Sequence, residues 1–143
     1  GQPLPEFAGA LNGAVRRFHS SANVQIVTLF NYLSIHEMSA LIKVSNYLLV
    51  PYKSVYGSSG ILGHAARERT PVLCNKFGLI GRLTEKYRLG RTMDARSRSS
   101  YIETLQGTLD LPVVVSARDA NYYCSKNSIV AFQEAIIGSW LSA

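Results

Sequence analysis

The sequence predicts an α/β fold in which helices cover both faces of a parallel sheet. Helical and strand-like patterns alternate along the first two thirds of the 143 residues, and such alternation indicates parallel strands joined by right-handed crossovers. The clearest stretch, residues 46–90, begins with a short apolar run and continues through a glycine–serine loop into a helix. A hydrophobic content of 47% is enough for the core of one domain.

The first 45 residues predict a helix, a strand and a second helix. Apolar residues repeat at steps of three and four, as on one face of an amphipathic helix, at Leu4, Phe7, Leu11, Val15 and Phe18. Residues 23–30 are rich in valine and isoleucine and predict a strand. Ser34 and Glu37 have the spacing of a capping box, so we expect a helix to begin there. This helix is expected to bury Met38, Leu41 and Ile42.

The central stretch predicts two strands, each followed by a helix. Residues 47–50 form a short apolar run before a proline, which is typical of a strand that is buried on both faces. Residues 71–75 predict the second strand. Helices are expected over residues 60–69 and 79–87, and Gly90 is expected to end the second of them.

The C-terminal third predicts an edge strand and three helices. The strand covers residues 91–93, and either Ser97 or Ser100 is expected to cap the helix that follows. That helix carries Tyr101, Ile102 and Leu105. Residues 111–115 fit a strand, a loop or a helix start equally well. The last two helices are expected over residues 117–123 and 128–141, the latter with a core-facing stripe of Ile129, Phe132, Ile136 and Trp140.

The glycine–serine loop is the strongest candidate for a functional site. Gly57, Ser58, Ser59 and Gly60 stand where a strand leads into a helix. Unobstructed backbone N–H groups and the positive end of the helix would together form an anion site there. The alternative from the loop alone is a tight turn with an N-cap serine.

Charge and cysteine content restrict the classes of partner and compartment. The net charge of +6 and the pI of about 9.6 favour anionic partners, such as nucleotides, phosphates, nucleic acid or acidic lipid headgroups. Cys74 and Cys124 suggest neither a disulfide framework nor a metal site, which predicts a reducing compartment. Cys74 is expected in a buried strand. No signal peptide and no apolar run of membrane-spanning length is visible, so we expect a cytoplasmic protein.

These elements resemble the C-terminal donor-binding domain of group 1 (family 4-like) retaining glycosyltransferases, whose GT-B fold has two Rossmann-like domains. The matching motifs, in chain order, are Val50-Pro51-Tyr52, Gly57-Ser58-Ser59-Gly60, His64-Ala65-Ala66, Thr70-Pro71-Val72 and Gly78-Leu79. The likeness is concentrated in residues 46–90 and extends more loosely from Gly1 to about Trp140.

The resemblance implies a single, partial Rossmann-like domain over residues 1–143, with C-terminal helices from about residue 117. In a sheet of order 3-2-1-4-5-6, residues 23–30 would be the third strand and residues 47–50 the fourth. The first two strands and the acceptor domain would be missing. We therefore expect a fragment of a longer enzyme that is inactive by itself.

The resemblance also implies site residues. The donor diphosphate would bind at Gly57, Ser58, Ser59 and Gly60, and the nucleobase near Tyr32 and Leu33. Two family glutamates, which contact the transferred sugar and the ribose, are replaced here by Tyr56 and His64. A neutral imidazole accepts one hydrogen bond where a carboxylate accepts two. His64 therefore either still binds the ribose or is a partly buried helix residue bonded to a backbone carbonyl.

Three functions stay open. The first is the donor domain of a glycosyltransferase, which would bind a nucleotide-diphosphate sugar and pass the sugar to an unknown acceptor. The second is a degenerate, non-catalytic module that binds a nucleotide or sugar phosphate. The third, a nucleic-acid-associated domain, rests on net charge alone. No nucleophile–base pair, metal motif or cofactor is implied, and peripheral membrane association of the parent protein stays possible. Lys53, Lys76 and Arg82 either reach phosphate or are solvated.

Overall fold

The structure is a computed structural model that describes residues 5–19, 24–52 and 60–141. The chain divides into two compact units, Gly1–Met38 and Ser39–Ala143. The first unit holds helix α1 (Pro5–His19), so the predicted amphipathic helix is confirmed. Helix α2 (Ile35–Val44) begins at the predicted capping box. The Ser34 backbone N–H donates to Glu37 Oε2 at 2.8 Å, and the Glu37 backbone N–H donates to Ser34 Oγ at 3.3 Å.

The predicted strand over residues 23–30 is wrong for its described part, because residues 24–30 have no regular secondary structure. Val24, Val27 and Leu29 are exposed there. Valine and isoleucine favour strands where a neighbouring strand and a core cover them, and among the described residues no strand pairs with this segment. The expected burial of α2 is also correct only in part, since Ile42 is buried while Leu41 is exposed and Met38 is half-buried.

The second unit is an α/β structure built on a three-stranded parallel sheet. Its strands are β1 (Leu48–Val50), β2 (Val72–Asn75) and β3 (Gly90–Met93), hydrogen-bonded in the order β1-β2-β3. Leu48 pairs with Val72, and Val72 pairs with Gly90. This order matches the one expected for the last three strands of the predicted sheet, with β3 at the edge.

Helices connect the strands and follow them in the chain. They are α3 (Ile61–Glu68), α4 (Gly78–Lys86), α5 (Arg98–Asp110), α6 (Ala117–Lys126) and α7 (Ile129–Leu141). The core cluster joins β1 and β2 to α3, α4 and α6 through buried side chains that include Leu62, Cys74, Ile80 and Tyr123. None of the described helices is both long enough and apolar enough to cross a bilayer.

Burial of the strands follows their position in the sheet. All four residues of β2, the central strand, are buried, as the sequence predicts. Strand β1 is different, because Val50 is buried while Leu49 is 44% exposed. The prediction that β1 is buried on both faces is therefore wrong.

Helix α4 ends earlier than predicted, and Gly90 does not end it. The helix stops at Lys86 with Tyr87 as its C-cap, and Arg88 takes the left-handed conformation at φ 52°. Gly90 is instead the first residue of β3. A Cβ atom at Gly90 would lie 2.6 Å from the backbone nitrogen of Val72. The glycine therefore serves close strand pairing and not helix termination.

The C-terminal elements agree with the sequence in type, with corrections at two places. Ser97 caps α5 by accepting from the Ser100 backbone N–H at 3.3 Å, and residues 111–115 form a loop. Helix α6 runs three residues beyond the prediction. On α7, Ile129 is 76% and Phe132 67% exposed, so their assignment to the core is wrong. The side chains of Ile136 and Trp140 lie outside the described residues.

Candidate functional site

The three parallel strands end at one edge of the sheet, where ligands of open α/β folds commonly bind. The segments at this edge are residues 50–52, 75–78 and 93–98, together with Gly60, which precedes α3. Five of the predicted site residues lie outside the described part of the chain: Lys53, Tyr56, Gly57, Ser58 and Ser59. Gly60 is described and is the N-cap of α3, with a helical φ of −55°.

Asn75 joins the three loops of this edge. It is the last residue of β2 and only 3% exposed. Its Nδ2 donates to the Tyr52 carbonyl at 2.9 Å, after β1. Its Oδ1 accepts from the backbone N–H groups of Phe77 at 3.5 Å and of Ala95, after β3, at 3.4 Å. One amide side chain therefore holds the backbone of all three loops in register.

Two cationic side chains flank one aromatic ring at the same edge. Lys76 Nζ lies 4.9 Å and Arg96 Cζ 5.9 Å from the centre of the partly exposed Phe77 ring. Lys76 also pairs with Asp94, its Nζ lying 3.4 Å from Oδ2. The Asp94 carboxylate accepts in addition from the Arg96 backbone N–H at 3.0 Å. The Arg96 side chain is exposed, so its charge faces solvent beside the ring.

Two helices begin at this edge, and neither α3 nor α4 has an acidic residue in its first turn. The N-cap residues, Gly60 and Phe77, do not cap these helices with their own side chains. Gly78, the first residue of α4, has a φ of 85°, which only glycine adopts readily. The N-terminus of a helix carries about half a positive charge, which favours anions. By contrast, Ser97 caps α5.

His64 lies on α3 and is half-buried. Its Nδ1 atom is buried without a hydrogen-bond partner. A buried imidazole nitrogen usually has a partner. The carbonyl-bonded alternative, which the other ring nitrogen could meet, and the ribose-binding role both stay predictions.

The predicted nucleobase residues belong to the other compact unit. Tyr32 is 94% exposed, which excludes the alternative that it is a buried tyrosine at the end of a strand. Leu33 is half-buried. Their part in a shared site stays a prediction. Arg82 is exposed on α4, beyond its first turn.

The positive charge of the chain is concentrated in the unit that holds the sheet. In Gly1–Met38 the two arginines, Arg16 and Arg17, are balanced by Glu6 and Glu37. The net charge of +6 is therefore carried by Ser39–Ala143. This distribution favours an anionic ligand at the sheet-bearing unit.

The cysteine of the central strand is a buried core residue. Cys74 is fully buried in β2, and burial raises the pKa of its thiol, although a hydrogen bond to Thr84 Oγ1 at 3.3 Å opposes that shift. A buried thiol with a raised pKa is a poor nucleophile. Among the described residues, no group of three or more His, Cys, Asp and Glu side chains is placed to hold a metal ion.

Sequence reasoning missed Asn75, Phe77, Asp94 and Arg96. Their position could have indicated them, because they lie at or just after the ends of two predicted parallel strands, and these ends meet at the carboxyl edge of the sheet. Their mutual contacts span about 20 residues of chain and have no local sequence signature. In comparisons with known proteins, no family model, curated protein or solved structure matches this chain.

Proposed function

We propose that this chain is the donor-binding domain of a glycosyltransferase-like protein and that a nucleotide-diphosphate sugar binds at the carboxyl edge of its sheet. The observation that carries the proposal is the pair of helix N-termini at Gly60 and Gly78 whose first turns carry no acidic residue. A diphosphate has two groups of negative oxygens, and backbone N–H groups at helix N-termini are suitable donors to them.

The side chains around Phe77 support the same ligand class. Arg96 offers an exposed guanidinium, which matches phosphate oxygens with two parallel N–H donors. Lys76 lies beside the same ring and is paired with Asp94, so it adds ammonium N–H donors to this surface but no net charge. Asn75 fixes the loops that carry these groups, which lowers the conformational entropy lost on binding.

Transfer of the sugar would depend on stabilising the leaving diphosphate, since such a step needs charge stabilisation more than a protein nucleophile. In the described residues of this edge, Asp94 is the one carboxylate, and it is engaged with Lys76. The replacement of the family glutamates by Tyr56 and His64 favours a second candidate, a non-catalytic module that binds the nucleotide or sugar phosphate without transfer.

Calorimetric titration with UDP, GDP and ADP at low and moderate salt tests the proposal. We expect one nucleotide to bind specifically and to keep most of its affinity at moderate salt. Arg96→Glu should weaken it by about tenfold, equivalent to about 1.4 kcal/mol. Arg118→Glu, on α6, changes the net charge equally and serves as the control. Equal losses in the two variants would mean that binding reflects net charge alone.

The two candidates are separated by restoring the carboxylates. Tyr56→Glu combined with His64→Glu should increase donor affinity if the site is a degraded one. The same change should reduce affinity if Tyr56 and His64 are themselves adapted ligands. Hydrolysis of the nucleotide sugar, followed for both proteins, reports whether any transfer chemistry accompanies binding.

A further inference from the structure

A groove of about 850 Å³ runs along α3 and α4, and the end of α6 and the start of α7 form its other wall. Sites for small molecules have volumes of about 300 to 1,000 Å³ and are mostly apolar with a few polar groups. The groove is therefore large enough for a ligand. It reaches from Gly60 toward the C-terminal end of α3 at Arg67, outside the ring of contacts around Asn75.

The groove is open because α3 has no side chains on part of this face. Gly60, Gly63 and Arg67 follow one another at steps of three and four, which places them on one side of the helix. A Cβ atom added at Gly60 or Gly63 would meet nothing within 4 Å. The groove is therefore unoccupied beside these two glycines, and the Cβ atom of a larger side chain at Gly63 would enter it without a clash.

The walls of the groove are apolar and largely uncovered. Leu79 and Leu83 line it from α4, and Ile129, Val130 and Phe132 line it from the start of α7. The three residues from α7 are exposed. An exposed apolar surface of this kind indicates a binding site, and an alkyl chain would fill it.

The described residues that line the groove carry charges of one sign. Arg67 and Lys126 are the charged ones among them, and none of these described residues is acidic. Lys126 lies at the C-terminal end of α6, where its Nζ is 6.0 Å from the centre of the Tyr122 ring. A ligand that complements this surface has an apolar body and an anionic group.

We propose that this groove binds an anionic amphiphile, a single alkyl chain with a carboxylate or phosphate headgroup. The chain lies against Leu79, Leu83 and Phe132, and the headgroup pairs with Arg67 or Lys126. The groove shares Gly60 and Leu79 with the proposed donor site, but its cations, Arg67 and Lys126, lie outside that site, and the assignment does not depend on donor binding.

Isothermal titration with C12 probes below their micelle concentrations tests this assignment. Dodecyl phosphate and dodecanoate carry the two headgroup types, and dodecyl maltoside carries the same chain without charge. We expect the anionic probes to bind at least about tenfold more tightly than the maltoside. The better of the two anionic probes identifies the headgroup. Equal binding of all three probes, or binding of none, would overturn the proposal.

Variants locate the site. Arg67→Glu combined with Lys126→Glu should weaken dodecyl phosphate by at least about tenfold and leave dodecyl maltoside within about twofold. Gly63→Leu should block both by filling the groove. Gly13→Leu, on α1, has equally open space around its Cβ and should change neither. Thermal melts check that each variant is folded, and a folded Gly63→Leu protein that binds normally would contradict the proposal.

A last experiment distinguishes binding of a single amphiphile from binding to a membrane surface. If the protein binds vesicles of anionic phospholipid but not monomeric dodecyl phosphate, the groove is not the binding site and the proposal is contradicted. Protection of Cys124, which lines the groove, from a thiol reagent by dodecyl phosphate would support it by an independent readout.

Discussion

The Asn75 side chain donates a 2.9 Å hydrogen bond to the backbone carbonyl of Tyr52 and so ties the end of β2 to the loop after β1. The same amide accepts from the Ala95 backbone after β3. Because Asn75 is buried, water cannot satisfy its amide group, and these protein hydrogen bonds do so instead. The shape of the candidate site therefore depends on one residue that itself needs no contact with ligand.

Asn75→Ala should lower the free energy of unfolding by about 1–3 kcal/mol, because it leaves three part-buried backbone groups without their side-chain partner. Urea titration measures this change. The control is Asn121→Ala, at an exposed position on α6, which should alter stability by less than about 0.5 kcal/mol. Equal effects at the two positions would contradict the bridging role of Asn75.

Gly81→Ala should destabilise the protein, whereas Gly63→Ala should not. A Cβ atom at Gly81 would lie 2.5 Å from the Asn75 carbonyl oxygen, so α4 would have to move away from the end of β2. We expect a loss of about 1–3 kcal/mol in the free energy of unfolding. At Gly63 the space is open, and alanine should stabilise the helix by about 0.5–1 kcal/mol. Thermal or urea unfolding of the pair compares them directly.

Stability should fall at alkaline pH through buried groups. Burial, with smaller contributions from Cys124 and Tyr87, raises the pKa of Tyr123 above its ordinary value of 10.0, and burial raises that of Cys74 above 9.0. A raised pKa in the folded state gives stability that is complete below the unfolded pKa and is lost as the pH rises through the folded value. Unfolding free energies should therefore decline from pH 9.0 upward.

Tyr123→Phe should reduce the part of this decline that begins near pH 10.0, because the phenol that must stay protonated is removed. Tyr122→Phe, at a neighbouring exposed position, is the matched control against which the slope of Tyr123→Phe is compared. Urea titrations at a series of pH values measure both. A Tyr123→Phe protein with an unchanged slope would show that its phenol does not ionise with unfolding.

The two cysteines should react at very different rates. Cys124 is partly accessible, whereas Cys74 is buried and has a raised pKa. A chromogenic disulfide reagent should modify Cys124 first in the native protein, and Cys74 only after denaturant is added. Cys124→Ser isolates the slow thiol, and rapid native reaction in that variant would contradict the burial of β2.

Local sequence signals predicted the parts of the fold that depend on neighbouring residues. The Ser34–Glu37 capping box, the Ser97 cap and the apolar β2 segment are of this kind. Residues 24–30 have the composition of a strand, but no strand in the described part of the chain pairs with them. The apolar stripe on α7 indicated a helix, but it did not reveal that Ile129 and Phe132 are uncovered.

The candidate site was only half predictable for a physical reason. Gly60 and His64 follow a recognisable local pattern, so the sequence pointed to them. Asn75 meets Tyr52 and Ala95 only after three strands have paired, and no spacing within one segment encodes that meeting. The cations beside Phe77 come together in the same way, through β3 pairing with β2.

The most direct test of the central claim, anion binding at the carboxyl edge, is a two-dimensional amide NMR titration with the nucleoside diphosphate that binds best. We expect saturable shifts concentrated at the amides of Gly60, Gly78, Leu79 and Arg96, with little change along α5. Shifts distributed over exposed lysines and arginines, or the absence of any shift at millimolar nucleotide, would contradict it.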